Sequence, residues 1–410
     1  MKIKTLIGLA AIVVMFGLRS DAQIYDTNNV VVQTFAGSGF AGYLDGQGTQ
    51  TMFNNPSQVD ADSTGNLFVV ESYNYRIRKV GLDGTVSTFA GGGASVPGYG
   101  TNASLAYNLG PMAIDHSNAL WIATGDSSFI LRIGSDAYVS RVNLTGLSSL
   151  SGVCADSRNN IYIADFYGEK IYRYRTNGVL EVFVGSGNQG SVDGNGIFTS
   201  FSGPSTLAAD AADNIYVWDT YNRVIRRINQ NRDVVTITGN IGVPADGIGT
   251  NAAFNSITAM CVDGSGSLII ACNGSGIRKM TAATNVTTIA GTYSQFGYAN
   301  GSGNLARFNN ASGVCLSQGS IFVADTSNQR IRQISFNPVA QIVSGANLGI
   351  ATFAGVTLTG VVGRTYQIQS SPDINTWTTQ ATLLLTSSPY LWIDQNPTSG
   401  SKFYRAVLLP

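Results

Sequence analysis

Three tyrosines occupy one equivalent position of a repeated pattern, and each follows an acidic residue by two positions. The pairs are Glu71 with Tyr73, Asp165 with Tyr167, and Asp219 with Tyr221. Aromatic rings beside carboxylates and amides on a concave face are typical of a glycan or peptide site, although the same tyrosines could simply pack loops together. The predicted ligand-contacting set is Tyr43, Glu71, Tyr73, Asn74, Asp165, Tyr167, Asp219, Tyr221, Asn222, Tyr298 and Asp325.

Arginines and further aromatic residues accompany this set. Phe40, Tyr99 and Phe296 lie in long glycine-rich stretches and are predicted to add rings to the same face. The arginine that begins each following strand is expected to pair with the preceding acid across the turn: Arg76 with Glu71, Arg223 with Asp219, and Arg330 with Asp325.

The residues that common catalytic and metal sites require are scarce. The chain has one histidine, His116, so neither a histidine-bound zinc site nor an independent Ser-His-Asp triad can be assembled. Asp60 is the only carboxylate that the pattern directs along the inner strands, whereas calcium takes about six to eight oxygen ligands. The sequence therefore predicts no catalytic residue, no metal ligand and no cofactor.

Four loops carry Asp or Asn before Gly-x-Gly, at Asp45, Asp193, Asp246 and Asn300. Each offers one side-chain oxygen to a different repeat, so a glycine turn at positive φ is favoured over a calcium loop. The four cysteines, at positions 154, 261, 272 and 315, fit either small core residues or one disulfide.

Composition limits the possible partners. The 410 residues include 24 basic and 24 acidic side chains, so the formal net charge is zero. A neutral, weakly charged chain is not expected to bind nucleic acid, which attracts proteins through Lys and Arg.

The N-terminus reads as a signal peptide over residues 1–22. Lys2 and Lys4 precede an apolar run from Leu6 to Leu18, and small residues follow around Ala22. The run is shorter than the roughly 20 residues that a membrane-spanning helix needs. We expect a secreted, periplasmic or cell-surface protein without a membrane span.

Residues 23–336 contain a repeated sequence pattern. Its pivots are Asp62, Asp115, Asp156, Asp210, Asp263 and Ser317, and successive pivots are 53, 41, 54, 53 and 54 residues apart. The short interval indicates one missing loop before the third unit. Each unit contains four short strand patterns, which predicts an all-β, six-bladed β-propeller. The pivot aspartates are expected to accept hydrogen bonds within turns.

The first strand is predicted to close the ring. Val30–Phe35 resembles the last strand of a unit but precedes the first unit, while the sixth unit lacks that strand. Pairing of Val30–Phe35 with the strands of the sixth unit would leave no open gap between the first and last blades.

The repeats resemble a known family. GNLFVVESYNYRIRK at 65–79 and IFVADTSNQRIR at 321–332 are similar to NHL repeats, and TFAG at 34–37 and 88–91 resembles the version in teneurin-like and bacterial secreted proteins. The resemblance implies a propeller fold. It leaves function open, because the family includes scaffolds, ligand-binding platforms and a minority of enzymes.

Residues 337–410 form a separate region rich in Thr, Ser and Gln. The segment YQIQSSPDINTW at 366–377 resembles a fibronectin type III-like module, which implies a small β-sandwich with Tyr366 and Trp377 in its core.

Together these observations favour an exported, monomeric binding protein whose propeller loops hold a glycan or an extracellular protein. The alternative is a propeller-type hydrolase or lactonase of the cell envelope, similar to gluconolactonases.

Overall fold

The computed structural model describes residues 30–105, 108–125, 128–274, 276–336, 355–358, 364–372, 375–384, 390–393 and 403–409. The predicted signal peptide lies outside these residues. The described residues up to Phe336 belong to one compact unit, and those from Gly355 onward belong to another. No helix within the described ranges has the length and apolar character needed to cross a membrane.

The first unit consists of antiparallel sheets, numbered here from 1 to 6 in the order of their innermost strands. The first strand, β1 (Val30–Ala36), belongs to sheet 6. Sheet 1 contains β2 (Gly46–Gln47), β3 (Pro56–Ala61), β4 (Leu67–Glu71), β5 (Arg76–Val80) and β6 (Thr85–Ala90), and sheet 2 contains β7 (Gly98–Tyr99), β8 (Leu109–Ile114), β9 (Leu120–Thr124), β10 (Phe129–Ile133) and β11 (Tyr138–Asn143). Sheet 3 contains β12 (Leu150–Ala155), β13 (Ile161–Asp165), β14 (Lys170–Tyr174) and β15 (Leu180–Val184). Sheet 4 contains β16 (Gly194–Asn195), β17 (Pro204–Ala209), β18 (Ile215–Asp219), β19 (Val224–Ile228) and β20 (Asp233–Thr238); sheet 5 contains β21 (Gly247–Ile248), β22 (Ile257–Val262), β23 (Leu268–Cys272), β24 (Gly276–Met280) and β25 (Asn285–Ala290); sheet 6 contains β26 (Gly301–Ser302), β27 (Ala311–Ser317), β28 (Ser320–Asp325), β29 (Arg330–Phe336) and β1.

Short 3-10 helices punctuate the loops. They span Gly48–Gln50, Gly100–Asn102, Gly196–Phe198, Gly249–Asn251 and Thr326–Asn328. The described chain is thus all-β, as the sequence predicts.

The innermost strands of the sheets form a closed ring. In order, β3, β8, β12, β17, β22 and β27 each contact the next, and β27 contacts β3. Hydroxyl groups at the start of these strands join neighbouring sheets: Ser151 donates to the carbonyl of Pro204 at 2.8 Å, and Ser312 donates to that of Ser57 at 2.8 Å. Those side chains therefore hold the ring together.

The pivot aspartates adopt the predicted turn role. Each uses Oδ1 to accept the backbone N–H groups two and four residues later, so one carboxylate closes the turn between the first and second strands. The acceptor–donor sets are Asp62 with Thr64 and Asn66, Asp115 with Ser117 and Ala119, Asp156 with Arg158 and Asn160, Asp210 with Ala212 and Asn214, and Asp263 with Ser265 and Ser267.

The N-terminal strand completes sheet 6. β1 pairs with β29 from Val30 opposite Phe336 to Ala36 opposite Ile331. The placement of this segment as an outer strand is confirmed, and the chain is joined to itself across some 300 residues of sequence.

The described residues of the C-terminal unit form a two-stranded and a three-stranded sheet. Its strands are β30 (Gly355–Leu358), β31 (Thr365–Ser371), β32 (Thr378–Leu384), β33 (Tyr390–Ile393) and β34 (Phe403–Leu408), with β30 paired to β33 and β31 between β32 and β34. Tyr366 is buried as predicted. Trp377 was expected in the core but is half-buried, and the Arg405 guanidinium lies 4.2 Å from its ring centroid.

All four cysteines are free. Cys154, Cys261 and Cys315 occupy inner strands, and Cys272 ends β23. They therefore act as small packing residues.

The closing strand provides a test of ring formation. Val32 is fully buried on β1, whereas its neighbour Gln33 is exposed. We expect Val32→Asp to lower the free energy of unfolding by about 3 kcal/mol because it buries an unpaired charge, and Gln33→Asp to lower it by less than about 0.5 kcal/mol. Urea unfolding measures both values. Equal effects of the two substitutions would contradict the closing role of β1.

Candidate functional site

The turns between second and third strands lie at the end of the ring where the inner strands begin. The register shows this directly: Glu71 is opposite Pro56, Asp219 is opposite Pro204, and Asp325 is opposite Ala311. Asn74 and Asn222 donate to the carbonyls of Gly42 and Gly190 at 2.9 and 2.8 Å, so the loops between sheets reach the same end. We call this end, with residues 71–76, 165–170, 219–224 and 325–330 and the adjoining loops, the loop face.

Three of the predicted site acids belong to a buried network. Glu71, Asp219 and Asp325 are each fully buried and bind the arginine seven residues later, with N–O distances of 3.0, 2.9 and 2.7 Å to Arg78, Arg226 and Arg332. Each also accepts the amide of the asparagine three residues later, which is Asn74, Asn222 or Asn328. Burial raises the pKa of all three carboxyl groups, and the facing arginine opposes that rise.

These contacts correct one expectation from the sequence. The acids pair with Arg78, Arg226 and Arg332 rather than with Arg76, Arg223 and Arg330. Arg76 and Arg330 instead stack on the rings of Tyr43 and Tyr298, 4.2 and 3.9 Å from the centroids. Because the acids are enclosed and their oxygens are occupied, we place Glu71, Asp219, Asp325 and the bonded amides of Asn74 and Asn222 in the framework beneath the loop face.

Asp165 of sheet 3 is also fully buried, but its partners differ. Its carboxylate accepts the backbone N–H groups of Ser148, Ser149 and Gly168 at 2.9, 2.8 and 3.1 Å. The residue seven positions later is Tyr172 instead of arginine. Asp165 is therefore another framework residue, held without a guanidinium.

The aspartates of three Asp-Gly loops accept hydrogen bonds from buried arginines of the third strands. Nε of Arg78, Arg226 and Arg278 lies 3.1 Å from Oδ1 of Asp45, Asp193 and Asp246, respectively. Gly46 and Gly194 adopt φ of 148° and 155°, as a glycine turn requires. This arginine contact was not predicted, although the regular spacing from acid to Asn to Arg in the sequence indicates it.

Three exposed tyrosines remain above this framework. Tyr73, Tyr167 and Tyr221 are 68, 72 and 57% exposed. Tyr167 and Tyr221 both contact Phe166 edge to face, with centroids 5.1 and 5.4 Å apart. Phe166 was not predicted. We call Phe166, Tyr167 and Tyr221 the aromatic cluster, which spans sheets 3 and 4.

A glycine and an acid support the aromatic cluster. A Cβ on Gly203 would approach within 2.9 Å of Phe166 and 3.0 Å of Tyr221, so the rings lie directly over its backbone. The N–H of Gly203 donates to Glu169 at 2.8 Å. Burial raises the pKa of Glu169, and nearby Asp219 and Asp165 add to the rise. The cluster thus has a rigid backbone floor and a neighbouring carboxyl group.

Tyr43 and Tyr298 are partly committed to the framework. Each ring covers two guanidinium groups, and each hydroxyl lies 2.8 Å from a threonine oxygen, Thr88 or Thr34. Both side chains nevertheless remain about half exposed. Tyr99, expected on the same face, instead lies in β7 and stacks against Tyr138 at 4.8 Å.

A central channel of about 170 Å³ lies between the inner strands and is lined mainly by apolar side chains. Asp60 is the one carboxylate among its described lining residues. Its oxygens accept the N–H groups of Ala61 and Ile114 at 2.8 and 2.9 Å, the second from the next sheet. Burial raises the pKa of Asp60 to about 6.

The residues that metal or triad chemistry would need are not assembled in the described part of the chain. There, no group of three His, Cys, Asp or Glu side chains is placed to hold a metal ion. His116 is exposed in a turn, where its backbone N–H donates to Oδ1 of Asn159 at 2.9 Å.

Comparisons with known proteins agree with the repeat. The family model for the NHL repeat matches residues 308–334. Mouse teneurin-3 is 28% identical over 223 residues, which is 47% of this chain and 8% of teneurin-3. The chain therefore spans less than a tenth of that relative.

Solved structures show the fold. Auxiliary nutrient binding proteins of Bacteroides thetaiotaomicron and Bacteroides ovatus superpose with TM-scores of 0.60 and 0.59 at 17 and 18% identity, covering 75 and 76% of this chain and 77 and 78% of theirs. A protein of unknown function from B. thetaiotaomicron gives 0.61 at 18% identity, covering 75% of this chain and 76% of its own. Repeat and structure together support an NHL-repeat propeller.

Sheet 6 provides a test of the arginine network. Asn300 replaces the loop aspartate there, and Nε of Arg332 is a buried nitrogen without a hydrogen-bond partner among the described residues. Asn300→Asp should raise the free energy of unfolding by about 1 kcal/mol, because a carboxylate can bind both nitrogens of the guanidinium. Asn304→Asp adds the same charge in the same loop without reaching Arg332 and serves as the control. Equal urea midpoints for wild type and Asn300→Asp would contradict the network.

Asp60 gives a pH test. The folded protein keeps its proton up to about pH 6, whereas the unfolded chain loses it near 3.8. Raising the pH through this interval therefore favours the unfolded state. We expect Asp60→Asn to gain stability relative to wild type as the pH rises between those values, while the other buried carboxyls contribute equally to both proteins. A difference between the two unfolding curves that stays constant with pH would refute this.

Proposed function

We propose that the chain is an exported binding protein in which six NHL-type blades form a propeller and the loop face holds a glycan. The observation that carries the proposal is the aromatic cluster. Two exposed tyrosines share contact with one phenylalanine over a glycine floor, on turns fixed by backbone hydrogen bonds of Phe166 to Ser149 and Tyr221 to Ser202 at 2.8 and 2.9 Å.

The chemistry of this surface suits a carbohydrate. Exposed rings offer flat apolar faces to sugar C–H groups, and nearby amides and hydroxyls can bond sugar hydroxyls. Gln189, exposed on the adjoining loop and hydrogen-bonded to Ser202 at 2.8 Å, provides such an amide. A protein ligand on the same face is the alternative outcome.

The other parts of the chain are proposed to support binding outside the cell interior. The closed ring of inner strands supports six blades, and residues 337–410 are proposed as a separate fibronectin type III-like sandwich. Residues 1–22 are proposed to direct export. The two nutrient binding proteins of similar fold support a binding role.

The hydrolase or lactonase alternative finds no comparable support. The loop-face acids that would serve it are buried against arginine or backbone donors, and the central channel presents a single carboxylate among its described lining residues. We therefore favour binding over catalysis.

Substitution of the aromatic cluster tests the proposal. On a glycan array, wild type should select a defined set of sugars, and Tyr167→Ala and Tyr221→Ala should each weaken that binding by about tenfold, because each removes one stacking face. Tyr99→Ala is the matched control, since Tyr99 is 59% exposed and lies on an outer strand.

Two results would reject this function. One is unchanged glycan binding after both cluster substitutions. The other is an array without any selective signal for the wild-type protein.

A further inference from the structure

The clefts between neighbouring sheets are filled in a repeated way. In five of the six clefts, a segment of the chain lies between the outer strands of both sheets. Residues 185–203 show the pattern. Towards sheet 3, the backbone N–H of Gly185, directly after β15, donates to the carbonyl of Gly196 at 3.1 Å. Towards sheet 4, Gly194 pairs with Val234. We call these wedge segments, and their ranges are 37–55, 91–105, 185–203, 239–256 and 291–310.

Each wedge segment also supplies a buried apolar side chain to its cleft. These residues are Phe53, Leu105, Phe201, Phe254 and Phe308.

The cleft between sheets 2 and 3 lacks a wedge segment. Only residues 144–149 join β11 to β12, and sheet 3 is the one described sheet of the first unit without a two-residue outer strand. Leu144 is buried, and Gly146 accepts a hydrogen bond from the Tyr172 hydroxyl at 3.0 Å. The short link thus covers the inner part of the cleft and leaves β15 as an open edge.

The register identifies the backbone groups at this edge. Leu180 is equivalent to Val86, Val234 and Val286, which pair with the glycines of the outer strands. Val182 is equivalent to Thr88, Thr236 and Thr288, whose N–H groups donate to Asp45, Asp193 and Asp246. By this equivalence, the N–H and C=O of Leu180 and the N–H of Val182 point outward, ready to pair with another strand.

The side chains of the cleft are apolar and incompletely covered. Seven residues of its core cluster are only partly buried, whereas the adjacent cluster between sheets 3 and 4 has one, Ala209. Five of these seven partly buried residues flank the open edge of β15: Val142, Leu147, Tyr174, Leu180 and Val182.

The charged groups of β15 face away from this cleft. Glu181 binds the guanidinium groups of Arg173, Arg175 and Arg232. Because side chains alternate along a strand, Glu181 lies on the face opposite Leu180 and Val182, so the cleft itself offers apolar side chains and backbone groups.

We propose that this cleft binds an extended peptide segment of a partner protein, which adds a strand to β15, places an aromatic side chain in the cleft and so fills the place of the missing wedge. The chain's own wedges at sheets 1, 4 and 5 indicate this peptide chemistry, since each presents Gly to the outer strand and a Phe to the cleft. The Asp before each Gly binds an arginine that sheet 3 replaces by Tyr172, so an acid is not required there. Backbone pairing provides affinity and the apolar cleft provides selectivity. This site is separate from the aromatic cluster of the proposed function.

A synthetic peptide with the sequence of residues 189–203 is the probe. Titrated as a fluorescent conjugate against the full chain, it should bind saturably, and hydrogen exchange at Leu180 and Val182 should slow. Val182→Asp should weaken binding at least about tenfold, because it places a charge in the apolar cleft. Val179→Asp, in the preceding turn and outside the edge, is the matched control.

A second variant removes any doubt from misfolding. Duplicating residues 187–199 between Gly146 and Leu147 supplies a wedge within the chain and should abolish peptide binding without lowering the unfolding temperature. Tyr167→Ala should leave peptide binding unchanged, so that failure of this proposal is distinguished from failure of glycan binding.

Three results would overturn the proposal. The first is no binding at peptide concentrations up to about 1 mM. The second is binding that persists in both Val182→Asp and the duplicated-wedge variant, or that protects the amide of Val234 instead, as displacement of the native wedge would. The third is a dimer in ultracentrifugation that Val182→Asp dissociates, since a second copy would then be the occupant.

Discussion

In four of the sheets, the buried guanidinium groups of Arg78, Arg226, Arg278 and Arg332 hold together parts of the repeat that are distant in sequence. In sheet 4, one Arg226 side chain binds Asp219 at the end of the second strand, Asp193 of the wedge segment, and the carbonyls of Val192 and Ser200. Removing a charge from water is costly, and only several well-placed acceptors offset that cost. The position of the loops on the loop face therefore depends on these contacts, more than on the glycines that make the loops possible.

Sheets 2 and 3 show how the repeat manages without this arginine. The equivalent residues are Leu131 and Tyr172, as the register with β11 and β15 shows. Sheet 2 keeps its wedge, and there Tyr99 of the outer strand stacks on Tyr138. Sheet 3 has lost its wedge, and Tyr172 bonds to the short link at Gly146. An unpaired arginine in that place would be strongly destabilising, so the two losses in sheet 3 are physically consistent.

Much of the fold could be predicted because it rests on local, periodic signals. The pivots, the strand alternation and the unmatched first strand led to sheets, turns and the closing strand, and the 41-residue interval marked the missing wedge. The site was predicted less well. Glu71 and Tyr73 are two residues apart, yet one ends a strand and points inward while the other lies on an exposed turn. Phe166 could not be found from the repeat, since the equivalent residues are Ser72, Thr220 and Thr326.

The departures from the repeat concentrate around sheet 3. It carries Phe166 beside Tyr167, a carboxylate held without arginine, and an outer strand, β15, whose outer edge pairs with no other strand of the described residues. In a repeat protein, residues shared by every unit maintain the ring, so selection for a particular ligand acts on the units that differ. Sheet 3 combines an exposed aromatic surface at one end with an open apolar edge along its side. This concentration of unlike features, set in an otherwise regular framework, is the physical reason for placing recognition there.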